Sequence, residues 1–237
     1  MTASIPLSTV ATLDRLHEFR GVLFDLDGTL IDHETAAWVG AQRFSVEQGV
    51  DPDPQLWMDI EAKWFAAFER GEVDHAGQRR ARVREYLRKP SLSDDEAMAL
   101  FDVYRRHYAD AWERYDDALP ALSRAVEFAR RASGTVAVFT NGAAELQTDK
   151  LVRCGLNLDG IVMIAAAELG VAKPQPQSYL LASQAIGIRI DECVLIGDNP
   201  TNDVSGAREV GMAAIYLDRH HDTPDSITSL DALRWQR

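Results

Sequence analysis

The sequence predicts an α/β fold: a doubly wound parallel sheet, interrupted after its first strand by an inserted block of helices. Three observations predict it. From about residue 118 onward, short apolar runs alternate with helical stretches, the pattern of a parallel sheet covered on both faces. One further apolar run, residues 21–25, stands alone far upstream. Between the two lies a long segment with helical periodicity, helix caps and recurring aromatics.

Taken in order, residues 1–20 are weakly patterned. Val10, Leu13, Leu16 and Phe19 are placed to share one side of a short helix. Residues 21–25 read as a buried strand. The block 34–116 then reads as helix throughout. Asp53 is an N-cap with Pro54 at the first helical position, and Gly71 stops that helix. Ser93 and Glu96 form a capping-box pattern after the break at Pro90. Trp38, Phe44, Trp57, Trp64, Phe65, Phe68, Tyr104, Tyr108 and Trp112 are expected to fill a helical core. Strands follow at 135–140, 160–165, 193–198 and 213–217. The stretches "ELQTDKLVRCG", "PQSYLLASQAIG" and "NDVSGAREVG" between them each end in glycine, as helices commonly do. The expected division is therefore an α/β domain of residues 1–33 and 117–237 and a helical domain of residues 34–116.

Composition narrows the function. A net charge of −12 disfavours nucleic acid and anionic membranes, which reward basic patches. It leaves a small anionic substrate open, because charges beyond about 8 Å are largely screened at physiological salt. No apolar run reaches the roughly 18 residues a membrane span requires. Cys154 and Cys193 lack metal or redox spacing and are expected to be reduced and buried. The N-terminus lacks a basic flank followed by an apolar block. A cytoplasmic location is the expectation.

The unusual polar residues fall where ligands bind in such sheets, at the carboxyl ends of strands. Asp25 and Asp27 end the first strand, Thr140-Asn141-Gly142 the second; Lys173-Pro174 follow the third, and Asp198 and Asp203 the fourth. Carboxylates gathered at one point repel unless a hard cation lies between them. Mg2+ suits this, since it takes oxygen ligands and keeps waters that a phosphate can replace. Thr140 offers a hydroxyl, and the amides after it open a helix. Lys173 can neutralise a carboxylate and a phosphoryl oxygen together. Such a set suits phosphoryl transfer, where positioning and charge stabilisation supply most of the catalysis. In the inserted block, "HAGQRRARVREYLRK" (75–89) is strongly basic. It is either a solvated helix face or the source of a substrate-reading side chain, Arg79, Arg80 or Arg82.

In this order "DLDGTL", "FTNG", "AKP" and "GDNPTND" resemble the four motifs of the haloacid dehalogenase superfamily of phosphohydrolases, over about residues 20–218. The helical insertion resembles the α-helical cap of one branch. The stretch "TNGAAELQTDKLVRCGL…ELGVAKPQPQSY" also resembles pyrimidine 5′-nucleotidases and sugar-phosphate phosphatases of that branch. The resemblance implies a Rossmann-like core and Mg2+-dependent hydrolysis of a small phosphate monoester, such as a nucleoside monophosphate or sugar phosphate. Asp25 would be the nucleophile, forming an aspartyl-phosphate, and Asp27 the general acid and then base. The Asp27 carbonyl and the carboxylates of Asp25 and Asp198 would hold the metal. Thr140, Asn141 and Lys173 would bind the phosphoryl group. Asp203 would orient Lys173 or a metal-bound water, and the cap would select the leaving group. A phosphomutase remains open. A 2-haloacid dehalogenase needs the nucleophile but neither the metal nor a second acid, so Asp27 argues against it. A non-catalytic phosphate-binding or signalling receiver module is disfavoured by the large insertion and by the completeness of the motifs.

Overall fold

The apolar runs all become strands of one sheet. In the computed structural model, which describes residues 7–221 and 223–235, these are β1 (Gly21–Phe24), β2 (Thr135–Thr140), β3 (Ile161–Ala165), β4 (Cys193–Gly197) and β5 (Ala213–Tyr216). They lie in the order β3-β2-β1-β4-β5, every neighbouring pair parallel. Phe24, the last residue of β1, stands opposite Val138 of β2 and Ile196 of β4. β1 and β4 are buried at every position, which explains why both read as continuous apolar runs rather than alternating ones. The chain builds outward from β1 through β2 and β3, then crosses to the other side for β4 and β5. That reversal leaves a crevice beyond the carboxyl end of β1, where ligands of open α/β sheets bind.

The helices of this unit are α1 (Thr9–Asp14), α6 (Ala118–Ala132), α7 (Ala144–Arg153), α8 (Ala166–Leu169), α9 (Pro176–Ala185) and α10 (Gly206–Glu209). Leu23, Phe139, Tyr179, Leu195 and Ala214 belong to one core cluster between sheet and helices. The stretches after α7, α9 and α10 end at Gly155, Gly187 and Gly211, all with positive φ, as the sequence predicts. Among the described residues no helix is long and apolar enough to cross a membrane. Cys154 and Cys193 are free and buried.

α1 departs from expectation. Leu16 and Phe19 are buried, but Val10 is 59% exposed while Thr9 and Thr12 are buried. The cause is the sheet edge. Thr9 Oγ1 accepts a hydrogen bond from the Tyr216 amide of β5 at 3.1 Å, so the threonine face is what covers the exposed edge strand.

Residues His33–Glu113 form a second compact unit built from α2 (His33–Glu47), α3 (Pro54–Glu69), α4 (His75–Tyr86) and α5 (Asp94–Ala109). Asp53 caps α3 through the Leu56 amide, and both bonds of the Ser93–Glu96 capping box are present. Phe44, Trp57, Tyr86 and Tyr104 form the aromatic core, with the Trp57 and Tyr104 centroids 4.2 Å apart. Trp38 does not join it and is 41% exposed. α2 buries the small side of its surface, Ala36, Ala37, Gly40 and Ala41, with Gly40 against the Tyr108 backbone, and Trp38 lies off that stripe.

The chain leaves and re-enters the α/β unit through paired segments. Ile31 bridges Arg114 antiparallel, and the Tyr115 amide donates to Leu30 O at 3.1 Å. Arg219 fastens this join. It binds both oxygens of Asp117 at 3.1 and 2.9 Å, donates to Thr29 O at 2.6 Å and lies over the Tyr115 ring. Burial pushes the Asp117 carboxyl up, but hydrogen bonds from Arg219, Ser229 and the Leu230 amide outweigh it and hold it below the usual carboxylate range.

Candidate active site

The site starts where β1 runs out. The Asp25 amide still pairs with Ile196 O at 2.9 Å, so the sheet fixes its backbone, and its side chain emerges at the crevice only 12% exposed. The chain then turns at Gly28, with φ +86°. A Cβ there would lie 2.3 Å from Asp198 Oδ2, so glycine is what lets the first and fourth strand ends approach. Thr29 Oγ1 donates to Asp198 Oδ1 at 2.7 Å and closes that gap.

Lys173 is 2% exposed. Its ammonium donates to Asp25 Oδ1 at 2.6 Å, Asp203 Oδ1 at 2.6 Å and Phe139 O at 2.9 Å, so all three protons are engaged. Burial would lower its pKa, but Asp203 and Asp25 hold it well above the usual lysine range. Asp203 is 1% exposed and stands in a π-helical turn, Pro200–Ser205, a widened geometry frequent at functional sites. Its second oxygen accepts the Asn199 amide at 3.0 Å.

Asp25, Asp198 and Asp203 each bring one carboxylate oxygen within 4.8 Å of the others. Burial, then the neighbouring negative charges, raise Asp25 well above the ordinary range. Burial and Asp203 push Asp198 up to about 6. One ammonium does not balance three carboxylates, and the set is all oxygen. Both facts fit a hard divalent cation such as Mg2+. Both Asp203 oxygens are already bound, which leaves Asp25 and Asp198 as the carboxylates to face it.

Asp27 belongs to a different set of partners. Its Oδ1 accepts from Lys150 Nζ at 2.6 Å and its Oδ2 from Gln147 Nε2 at 2.9 Å. Gln147 also donates to Thr140 Oγ1 at 2.8 Å, as does the Gly142 amide at 3.1 Å. Asn141 pairs with the Lys173 backbone through both ends of its amide, at 2.9 and 2.8 Å. The strand ends thus bring together Asp25, Asp27, Thr140, Asn141, Lys173, Asp198 and Asp203.

Arg79, Arg80 and Arg82 lie in the helical unit, where two are engaged within it. Arg82 is a correction: it is 4% exposed, its guanidinium 2.8 Å from Glu61 and stacked near Trp57, Phe101 and Tyr104, so it is a core residue rather than a reader of substrate. Arg80 pairs with Asp94 at 3.3 Å. Arg79 rests over the Phe101 ring and makes no ion pair among the described residues. Sequence reasoning missed Thr29, Gln147 and Lys150. The signal for the last two was their three-residue spacing, which sets both on one side of the helix that follows Thr140.

A family model described as hydrolase, haloacid dehalogenase-like hydrolase, matches residues 19–211. A phosphoserine phosphatase of Thermus thermophilus is 35% identical over 148 residues, 61% of this chain and 56% of that relative's length. The magnesium-bound HAD-hydrolase YfnB of Bacillus subtilis superposes with a TM-score of 0.78 at 20% identity, over 91% of this chain and 97% of that one. The defluorinating L-2-haloacid dehalogenase Rha0230 superposes with a TM-score of 0.72 at 20% identity, over 97% and 98% of the two chains. With its parallel sheet, its strand-end carboxylates and this match across most of its length, the chain belongs to the haloacid dehalogenase-like hydrolases.

Proposed function

We propose that the protein is a Mg2+-dependent phosphatase acting on a small phosphate monoester through an aspartyl-phosphate. One observation carries this reading: two carboxylates two residues apart have separate partners, Asp25 on Lys173 and Asp27 on Lys150 and Gln147. That separation gives them different tasks. Asp25 attacks phosphorus as the bond to the leaving oxygen breaks, and Asp27 gives that oxygen its proton. Asp27 then takes a proton from water as the water attacks phosphorus, and the bond to Asp25 breaks. General acid–base help of this kind is commonly worth about 10²–10⁴ in rate. Thr140 and the Asn141 amide hold the phosphoryl oxygens, and Lys173 joins them with the proton it now gives Asp25, released as Asp25 turns to phosphorus. Mg2+, held by Asp25, Asp198 and the Asp27 carbonyl, would neutralise charge on the phosphoryl group. Asp203 orients Lys173. We assign the helical unit the role of a cap that selects the leaving group, with Arg79 its leading candidate reader. The phosphatase name of the Thermus relative supports the reading. The dehalogenase fold-relative does not displace it, because dehalogenation leaves Asp27 without a task.

The test is turnover of p-nitrophenyl phosphate with Mg2+ and with chelator, beside chloride release from 2-chloropropionate. We expect phosphate release that chelator removes and Mg2+ restores. Chloride release unaffected by chelator would replace this reading with the dehalogenase one. A screen over nucleotides, sugar phosphates and phosphorylated amino acids then names the substrate.

A further inference from the structure

α7 directs two polar side chains into the site, and both are buried. Gln147 and Lys150 are each 2% exposed. Burying an ammonium and an amide is costly unless their bonds are made, and theirs are made to two residues of the proposed chemistry. Lys150 holds one oxygen of Asp27, and Gln147 holds the other together with the Thr140 hydroxyl.

The direction of these bonds follows from chemistry. Asp27 meets Gln147 with an acceptor oxygen in either protonation state, since the proton it gives points to the leaving group, so Gln147 must turn its NH2 toward it; the flipped amide would set oxygen against oxygen. The same NH2 then donates its second proton to Thr140 Oγ1. That oxygen also accepts the Gly142 amide. With both lone pairs of Thr140 occupied, its own proton has to be given away from Gln147 and Gly142. The hydroxyl is therefore a fixed donor, the state that an anion requires. The Gln147 carbonyl oxygen is buried and makes no hydrogen bond among the described residues, so the amide is held through its NH2. A Cβ on residue 142 would come 2.3 Å from Gln147 Nε2, so the turn after β2 leaves room for this side chain.

We infer that Gln147 and Lys150, one turn apart on α7, are positioning residues: Gln147 sets the Thr140 hydroxyl as a donor to the phosphoryl group, and the pair holds the Asp27 carboxyl toward the leaving oxygen. This rests on the phosphatase reading above. It adds a division of labour in which one helix orients both the phosphate donor and the acid.

The test uses the full-length protein and three measurements. The first is calorimetric binding of inorganic phosphate in the presence of Mg2+. Gln147→Glu is nearly isosteric but cannot donate; it turns the Thr140 proton inward and weakens phosphate binding by about tenfold or more. In a Thr140→Val background the same change adds less than about threefold, since the group it acts through is gone. The second measurement is kcat/KM for p-nitrophenyl phosphate and for an alkyl phosphate. Lys150→Met loses about tenfold more on the alkyl ester, which needs the proton most, and Lys150→Arg restores most of that difference. The third is the thermal transition of each variant, which reports whether it folds. Should Gln147→Glu not fold, Gln147→Met is carried through the same phosphate titration with the same expectation. Phosphate affinity within about threefold of wild type, or equal losses on the two esters, overturns the inference. A wild-type protein that turns over neither ester fails the phosphatase reading itself, a distinct result.

Discussion

Each unit of this protein buries cations, and Lys173 in one and Arg82 in the other are neutralised differently. Lys173 engages two carboxylates, with a third beside them. Among the described residues Arg82 pairs with one carboxylate, Glu61, and otherwise lies against aromatic faces. Around Lys173 negative charge is in excess. Around Arg82 it is matched, and the rings supply the rest through cation–π attraction of about 1–2 kcal/mol. The difference separates a site from a scaffold. An unbalanced set of buried charges raises the energy of the empty protein and is tolerated where a ligand relieves it. A balanced set fixes the packing.

The largest expected effect tests the excess. Asp25→Asn removes the proposed nucleophile and one surplus charge together. We expect activity below about one per cent of wild type, a loss of about 2.7 kcal/mol in transition-state stabilisation, with a melting temperature in metal-free buffer at or above that of wild type. A lower melting temperature would show that Asp25 is needed to balance Lys173, and the contrast would fail.

The second tests the balance. Arg82→Met leaves Glu61 without its cation and removes three aromatic contacts. It should destabilise the fold by roughly 2–3 kcal/mol in urea, while kcat/KM for p-nitrophenyl phosphate stays within about twofold. A large kinetic loss at unchanged stability would return Arg82 to substrate recognition.

The smallest expected effect concerns a pair that is matched but pH-sensitive. The native Asp117 pKa is held below its unfolded value of about 3.9. Its contribution is therefore complete above that value and lost as pH falls through the native pKa. Asp117→Asn should cost about 1 kcal/mol at pH 7, and the gap to wild type should narrow below about pH 4 in urea titrations. A gap independent of pH would mean that the charge on Asp117 contributes nothing to the clasp with Arg219.

The strands and the residues at their ends were legible because each fact was local. Apolar runs mark buried strands; Thr140 closes one, and Asp25, Lys173 and Asp198 each come after one. The helix caps at Asp53 and Ser93 were legible for the same reason. What stayed hidden was direction across space. Nothing in residues 75–89 tells which arginine turns inward; Glu61 on α3 and the Trp57 ring decide it for Arg82. The Thr9–Thr12 face of α1 was hidden because a bare edge strand, rather than a core, selects it. Gln147 and Lys150 stood in plain sight on a helix after Thr140, but their shared target, Asp27, lies 120 and 123 residues away, and spacing along one helix does not reveal what it faces.

That separation has a consequence for how the molecule comes into being. The Lys173–Asp25 bond spans 148 residues and the Thr29–Asp198 bond 169. The second depends on β4 docking beside β1, and the first on β2, whose end holds Lys173 through Asn141 and Phe139 O; both are closures between distant parts of the chain. Contacts of this range are slow to form because loop entropy must be lost before any pairing repays it. The helical unit, by contrast, lies wholly between β1 and β2 and packs among near neighbours in sequence. During synthesis it can be complete while Asp25 is still a lone carboxylate at the end of an unpaired strand. Lys173, Asp198 and Asp203 come from the last third of the chain, so an unfinished chain has the proposed nucleophile without the residues that surround it in the site. The order of residues along the sequence thus delays catalytic competence until the sheet is nearly whole.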